Sequence, residues 1–145
     1  MKVTEFMTRN PTVVSPELTI ADVLKIMKET AHDGFPVVNE NKIVIGMIGY
    51  GDLILQPIEK KVREVMQTRV VGVPAEMDID AVARLMLRRG YSRYPVVDEE
   101  GHLLGLVTNM DVIRAHIERV TPLKIETLRK TIENLHKIQV RVIED

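Results

Sequence analysis

Apolar side chains recur at helical spacing in two separate stretches of the chain. Two sets of four residues follow the spacing i, i+3, i+4, i+7, namely Ile20, Val23, Leu24 and Met27, then Ile79, Val82, Ala83 and Met86. This spacing is the stripe of an amphipathic helix. Thr19 and Asp78 stand just before the two stripes and suit the N-cap position. The pattern therefore predicts two similar helices.

Short β-branched runs surround each predicted helix. A brief extended segment comes before it, at Thr12 to Val14 and again at Val70 to Val73. After it come Pro-Val-Val, a polar turn and a second apolar run, an arrangement typical of an antiparallel strand pair. A further helix then begins near Asp52 or Asp111, where a carboxylate suits the positive end of the helix dipole. Each stretch thus predicts the order β-α-β-β-α.

The two stretches are copies of one another. A shift of 59 positions aligns about 15 identical residues in roughly 52 pairs without a gap. Copy one is assigned to residues 1–59 and copy two to residues 60–119, with Gln56 to Lys60 as the linker. A unit of this size buries its own sheet face poorly, so we expect the copies to pack as a pseudo-twofold pair. Two copies imply two related clefts between them.

Composition and charge narrow the possible functions. The 145 residues include 20 basic and 21 acidic side chains, no cysteine and 3% aromatic residues. Balanced charge and few aromatics argue against a nucleic-acid platform, and the absence of cysteine excludes disulfides and thiolate chemistry. The four histidines show no metal spacing and no nucleophile-base pairing, so neither a catalytic nor a metal site is predicted. Without a signal stretch or a membrane-spanning run, we expect a cytoplasmic protein without membrane contact.

The ordered motifs resemble the CBS domain (cystathionine beta-synthase domain) pair, or Bateman module. The resemblance covers residues 3–55 and 62–116. It rests on Phe35-Pro36-Val37-Val38, on residues 46–54, and on their second copies at residues 94–97 and 105–113. It implies an α/β (α+β) fold of tandem repeats and a regulatory module rather than an enzyme. Such a module binds AMP, ADP, ATP or a related adenosyl compound as a regulatory ligand, needs no cofactor, forms a homodimer and signals to an effector.

The resemblance also implies roles for individual residues. An Asp at a helix start can accept hydrogen bonds from ribose hydroxyls, and a Thr three residues earlier can donate to a phosphate. Copy two has both, as Thr108 and Asp111, whereas copy one has Gly49 with Asp52. The remaining positions expected to bind ligand are Tyr50, Gly51, Asn109 and Met110 at these helix starts, and Met7, Met66, Phe35 and Tyr94 in the apolar wall for adenine.

Each cleft is expected to borrow residues from the other copy. Ser92 and Arg93 would complete the cleft of Asp52, where Arg93 offers a guanidinium to phosphate. Asp33 and Gly34 would complete the cleft of Asp111, where Asp33 would repel phosphate. The expected clefts are therefore unequal. The simpler interpretation stays open: both carboxylates can serve only as helix caps, and the methionines can be core residues.

Residues 120–145 have no counterpart between the copies. Their spacing predicts an amphipathic C-terminal helix and then a short alternating strand near Val140. The tail is similar to archaeal proteins that join a CBS pair to a ParB-like DNA-binding domain, so one hypothesis is that the chain is the regulatory part of a longer protein. The alternative is a helix that covers its own module or a dimer mate. Two other functions stay open, an interaction module with degenerate clefts and a nucleic-acid regulator acting through the basic Arg84 to Arg93 face.

Overall fold

The structure is a computed structural model and describes residues 1–119 and 129–134. One compact unit, Met1–Val112, contains both predicted clefts, and a second unit runs from Ile113 to Asp145. Residues 129–134 are helical. The rest of the predicted C-terminal helix and the strand near Val140 lie outside the described residues. In the described part of the chain, no helix combines the length and apolar character needed to cross a bilayer.

The first repeat keeps the predicted order with two reduced elements. Helix α1 (Ile20–Thr30) is followed by strands β1 (Gly34–Val38) and β2 (Val44–Gly49), which pair antiparallel, and by the four-residue helix α2 (Tyr50–Leu53). The predicted first strand is a single parallel bridge from Val14 to Val37. Here one pair of backbone hydrogen bonds replaces a ladder, because Val14 donates to Pro36 and accepts from Val38.

The second repeat has the full β-α-β-β-α order. Strand β3 (Val73–Pro74) pairs parallel with β4 (Arg93–Val97), which pairs antiparallel with β5 (Leu103–Thr108). Helix α4 (Ile79–Arg89) lies between β3 and β4 in sequence, and α5 (Asn109–Glu118) follows β5. The first strand is shorter than the predicted Val70 to Val73, since only Val73 and Pro74 join the ladder. The mixed α/β fold of tandem repeats is confirmed.

The predicted helix caps are confirmed, and the structure adds two short helical turns. Thr19 accepts from the Asp22 amide, and Asp78 accepts from the Asp80 amide. A 3-10 turn at Val3–Glu5 and helix α3 at Val62–Val65 open the two repeats. Glutamate three residues after the first position caps both turns, because Glu5 accepts from the Lys2 amide and Glu64 from the Lys61 amide.

The opening segment of each repeat packs on the other repeat. The Val62 amide donates to the Leu18 carbonyl, and the Val3 amide donates to the Met77 carbonyl, both at 2.8 Å. Val62 joins the core of the first repeat. Further along, Gln67 pairs with Met47 of β2, and Thr8 pairs with Leu106 of β5. The sequence copies therefore exchange their first residues, and each packed half combines residues from both copies.

Glycine permits this exchange at the same place in each repeat. A Cβ on Gly46 would lie 2.9 Å from the Gln67 carbonyl oxygen, and a Cβ on Gly105 would lie 2.8 Å from that of Thr8. The sulfurs of Met66 and Met7 come closer still, at 2.7 and 2.5 Å from those two positions. The crossing segments thus lie directly against the strands, which brings Gln67 and Thr8 toward the ends of β2 and β5.

The core of the first repeat is built mainly from the residues that the periodicity selected. It contains Val14, Ile20, Val23, Phe35, Val37, Ile48, Leu53 and Val62. Their counterparts in the second repeat are also buried, among them Val73, Ile79, Val82, Tyr94, Val96, Val107 and Val112. Burial of each large aliphatic side chain contributes roughly 1.5–3 kcal/mol of transfer free energy. Equivalent residues of the two repeats therefore form the cores beneath the two sheets.

Candidate functional site

A cavity of about 170 Å³ lies between the repeats at the cleft of Asp52. Its wall combines the end of β2 and the start of α2 with the start of β4 and the segment that follows α3. The lining residues are Gly34, Met47, Ile48, Gly49, Asp52, Gln67, Arg69, Val70, Val71, Tyr91, Ser92, Arg93, Tyr94 and Pro95. Four residues that were predicted to share a cleft, Asp52, Gly49, Ser92 and Arg93, thus line the same cavity. Gly34, expected at the other cleft, lines this one.

The Asp52 carboxylate is fixed by both of its oxygens. Oδ2 accepts from the Gly49 amide at 2.8 Å, and Oδ1 accepts from Gln67 Nε2 at 3.1 Å. The first bond caps α2, as the simpler interpretation requires. The side chain is nevertheless half-buried rather than sealed. Each carboxylate oxygen can accept a second hydrogen bond, so capping leaves Asp52 able to bind a hydroxyl group from a ligand in the cavity.

The Asp111 carboxylate has the same scaffold and a closer cover. Asp111 Oδ2 accepts from the Thr108 amide at 2.9 Å, and Thr108 Oγ1 accepts from the Asp111 amide at 3.2 Å. Thr8, the repeat equivalent of Gln67, donates from Oγ1 to both carboxylate oxygens at 3.2 and 3.3 Å. Asp111 is only 6% exposed. A ligand hydroxyl could reach this carboxylate only after Thr8 moves.

Arg93 and Asp33 were expected to serve different clefts, and the structure pairs them. Arg93 Nη1 donates to Asp33 Oδ1 at 2.5 Å. The guanidinium holds the pKa of the Asp33 carboxyl below its ordinary value, first through this hydrogen bond and then through its charge. Asp33 is thus neutralised by the cation that was expected to bind phosphate. The Asp33 carbonyl meanwhile accepts from the Tyr50 amide, which ties it to the start of α2.

The other predicted site residues fall into two groups. At the helix starts, Tyr50 and Met110 have exposed side chains, a Cβ added to Gly51 would have no neighbouring atom within 4 Å, and the Asn109 amide donates to the Ser92 carbonyl.

The residues predicted to form an apolar wall divide differently. Tyr94 lines the cavity, but its hydroxyl is buried and makes no hydrogen bond of regular geometry among the described residues. Phe35 is a core residue, Met66 packs against that core, and Met7 packs against Gly105. Phe35, Met66 and Met7 do not line the cavity of Asp52.

Eight of the residues that line the cavity were missed by the sequence reasoning, namely Met47, Ile48, Gln67, Arg69, Val70, Val71, Tyr91 and Pro95. Gln67, Arg69, Val70 and Val71 all belong to the segment that crosses from the second copy to the first. Arg69 adds a second arginine to the residues that line the cavity, and its repeat equivalent is Asn10. Thr8 and Gln67 occupy equivalent positions in the two copies, which was the available sequence signal. That signal does not indicate a site by itself, because only the crossing of the two segments brings these residues to Asp111 and Asp52.

A comparison with protein families supports the assignment of two repeats. The family described as CBS domain matches residues 3–58 and 62–118. Among curated proteins, the uncharacterised protein MJ0188 of Methanocaldococcus jannaschii is 44% identical over 138 residues, which are 93% of this chain and 51% of that protein. The chain therefore spans about half the length of this relative.

Solved structures share the fold. CBSX2 in complex with AMP superposes with a TM-score of 0.75 at 30% identity, covering 81% of this chain and 96% of that one. CBSX2 is a CBS-pair protein of Arabidopsis thaliana. The cytosolic domain of the magnesium channel MgtE in complex with ATP has a TM-score of 0.72 at 33% identity, covering 79% of this chain and 48% of that one.

Proposed function

This chain belongs to the CBS domain family, and we propose that it is a regulatory module that binds an adenosine nucleotide in the cleft of Asp52. The observation that carries the proposal is the composition of that cavity. A half-buried carboxylate at a helix start and two arginines line the same cavity. A carboxylate suits ribose hydroxyls, and guanidinium forks suit phosphate oxygens.

The apolar part of the same cavity suits a planar base. Val70, Val71, Met47 and Pro95 supply aliphatic surface, and the ring of Tyr91 adds an aromatic edge. Small-molecule sites typically combine such apolar walls with a few convergent polar groups. The complexes of CBSX2 with AMP and of the MgtE cytosolic domain with ATP make an adenosine nucleotide the first choice of ligand.

We expect regulation rather than catalysis from this cleft. A ligand that bridges Asp52 on one repeat and Arg93 on the other favours one relative arrangement of the repeats, and an effector can respond to that preference. The chain would need no cofactor for this task. The effector is a partner protein or a domain beyond this chain.

Calorimetric titration with AMP, ADP, ATP, adenosine and S-adenosylmethionine tests the proposal. We expect saturable binding of at least one adenosine nucleotide. Asp52→Asn, which keeps an acceptor for the Gly49 amide, should weaken that binding by about tenfold, since a charged hydrogen bond contributes about 1.5–3 kcal/mol. Glu99→Gln, on an exposed turn, is the matched control. A folded protein that binds none of the five compounds would favour the interaction module with degenerate clefts.

We also propose that two copies of the chain associate through the end of α4. Leu87 is 86% exposed, and Tyr91, which follows the end of α4 and also lines the cavity of Asp52, is 54% exposed. Large apolar side chains exposed together are typical of an interface. Leu87→Asp should lower the molar mass in sedimentation equilibrium to that of a monomer, whereas Leu55→Asp, at a residue that is equally apolar and 99% exposed, should not. A monomeric wild type would overturn this proposal.

A further inference from the structure

The Arg93 side chain fills the space beside Gly34, the residue at the equivalent position of the first repeat. The shift of 59 positions aligns Arg93 with Gly34. A Cβ on Gly34 would lie 2.6 Å from Arg93 Nη1. The two equivalent positions therefore approach one another between the repeats, and a side chain at position 34 would displace the guanidinium from its present place. Glycine in the first copy leaves the space that the guanidinium of the second copy occupies.

The partner that Arg93 reaches is displaceable. Arg93 Nη1 and Asp33 Oδ1 are 2.5 Å apart, but the Arg93 side chain is 29% exposed while that of Asp33 is 76% exposed. The cleft wall thus holds the guanidinium, and the carboxylate approaches it from the solvent side. Ion pairs with one well-solvated partner contribute little, because water already stabilises the solvated charge. Asp33 can rotate into water at small cost.

A phosphate in the cavity would use the same guanidinium. Arg93 lines the cavity that contains Asp52, Gly49 and Arg69. Arg93 has five N–H donors, and Asp33 already accepts from Nη1, so a phosphate either uses the Nε and Nη2 pair or displaces Asp33. A phosphate beside Arg93 would also lie close to the negative charge of Asp33, which is unfavourable. Asp33 and a phosphate therefore compete for one cation.

Resting on the proposed function, we propose that Asp33 is a competing anion built into the cleft, which occupies Arg93 in the free protein and is displaced by the ligand's phosphate. Asp33 then lowers the affinity for phosphorylated adenosine compounds and leaves adenosine less affected. It acts as a specificity determinant. The cleft discriminates against anionic ligands more strongly than its two arginines alone would suggest.

The ratio of AMP affinity to adenosine affinity, measured by calorimetry on the full chain, tests this inference. The ratio cancels effects that a substitution has on both ligands. Asp33→Asn keeps the shape of the side chain and removes its charge, so the ratio should rise about two- to fivefold. Arg93→Ala should lower the ratio, and Asp33→Asn added to Arg93→Ala should raise it no further. Arg93→Lys replaces Arg93→Ala if the alanine variant does not fold.

Three outcomes overturn the inference and one bears on the proposed function instead. An unchanged ratio in Asp33→Asn would show that the carboxylate does not compete. A gain that persists without Arg93 would show that Asp33 repels phosphate directly. An equal gain in Glu99→Gln would show that net charge alone acts. If neither AMP nor adenosine binds the wild type, the proposed function fails before Asp33 is in question.

Discussion

In the first cleft, Asp52 is half-buried, is held by Gln67 and faces a cavity with Arg69 and Arg93 in its wall. In the second cleft, Asp111 is only 6% exposed and Thr8 donates to both of its carboxylate oxygens. The scaffold around the two carboxylates is the same, down to the backbone amide three residues earlier. The clefts differ in the covering residue, in the residue three positions earlier, which is Gly49 in one and Thr108 in the other, and in the arginines that line the cavity of Asp52.

In this duplicated fold, the residues that maintain the structure are matched between the copies, whereas residues placed to contact a ligand differ. Positions that hold a strand or cap a helix are matched in both copies, as Asp52 and Asp111 are. Positions that meet between the copies need not match, and Gly34 opposite Arg93 does not. Divergence at this meeting point gives the cleft of Asp52 an arginine that the first copy does not supply.

The largest expected change is a loss of stability at the two equivalent glycines against which the crossing segments pack. Gly46→Ala and Gly105→Ala should each destabilise the fold by about 2–3 kcal/mol, because the new Cβ meets a backbone oxygen that cannot rotate away. Denaturant unfolding measures both. Gly51→Ala, with nothing within 4 Å, is the control and should cost nothing. A large loss at only one of the two glycines would show that the crossing segments are not equivalent.

The next largest change in stability is expected from exchanging the aromatic residues at two equivalent buried positions. The buried Tyr94 hydroxyl makes no hydrogen bond of regular geometry in the described part of the chain, although the Tyr91 backbone lies near enough to act on its pKa, and the equivalent residue is Phe35. Burial raises the pKa of Tyr94, as expected where the charged form loses hydration. Tyr94→Phe should therefore raise the free energy of unfolding by about 1 kcal/mol, and Phe35→Tyr should lower it by about 1–3 kcal/mol.

Thermal unfolding of the two single variants and of the double exchange measures these changes. A loss of stability in Tyr94→Phe would contradict the assignment, since it would mean that the hydroxyl has a hydrogen-bond partner.

A smaller effect is expected where the repeats differ in turn chemistry. The residue after α1 is Ala31 with φ +57°, and the residue after α4 is Gly90 with φ +75°. Left-handed backbone costs a non-glycine residue about 1 kcal/mol. The backbone strain and the entropy of the unfolded chain enter the two substitutions with opposite signs, so Gly90→Ala should destabilise by up to about 1 kcal/mol and Ala31→Gly should stabilise by a similar amount. Thermal unfolding midpoints measure both, and shifts of the same sign in the two variants would contradict the assignment.

The smallest expected effect concerns the pH dependence of stability. Arg93 lowers the pKa of Asp33 in the folded protein, so the unfolded chain binds a proton at higher pH than the folded one does. The stabilisation is present above the ordinary carboxyl pKa near 4 and is lost as the pH falls through the lowered value. For an exposed pair it amounts to less than about 1 kcal/mol.

Asp33→Asn should therefore lower stability slightly at pH 7 and flatten its decline below about pH 4. Urea unfolding at pH 7 and at pH 3 measures the difference between variant and wild type. A difference that is the same at both pH values would contradict an ionic contribution from Asp33.

Much of the fold could be predicted because its signals are local. The stripe from Ile20 to Met27 and the cap at Thr19 are set by helical spacing and by backbone hydrogen bonding within a few residues. The strand pair after each helix follows from β-branched runs and a polar turn. The candidate site was predicted less completely, since Asp52, Gly49, Ser92 and Arg93 were grouped correctly while Gln67 and Arg69 were missed.

The sequence by itself determined the repeat, the order of its elements, the core stripe and the two aspartates at helix starts, because each depends on spacing along one chain. Tertiary structure alone decided which partner each residue meets. The exchange of opening segments puts Gln67 over Asp52 and Thr8 over Asp111. The space beside Gly34 lets Arg93 reach Asp33. The two residues therefore form an ion pair, whereas they were expected to lie in different clefts. Such contacts join residues about 15 to 103 positions apart, and no local pattern encodes them.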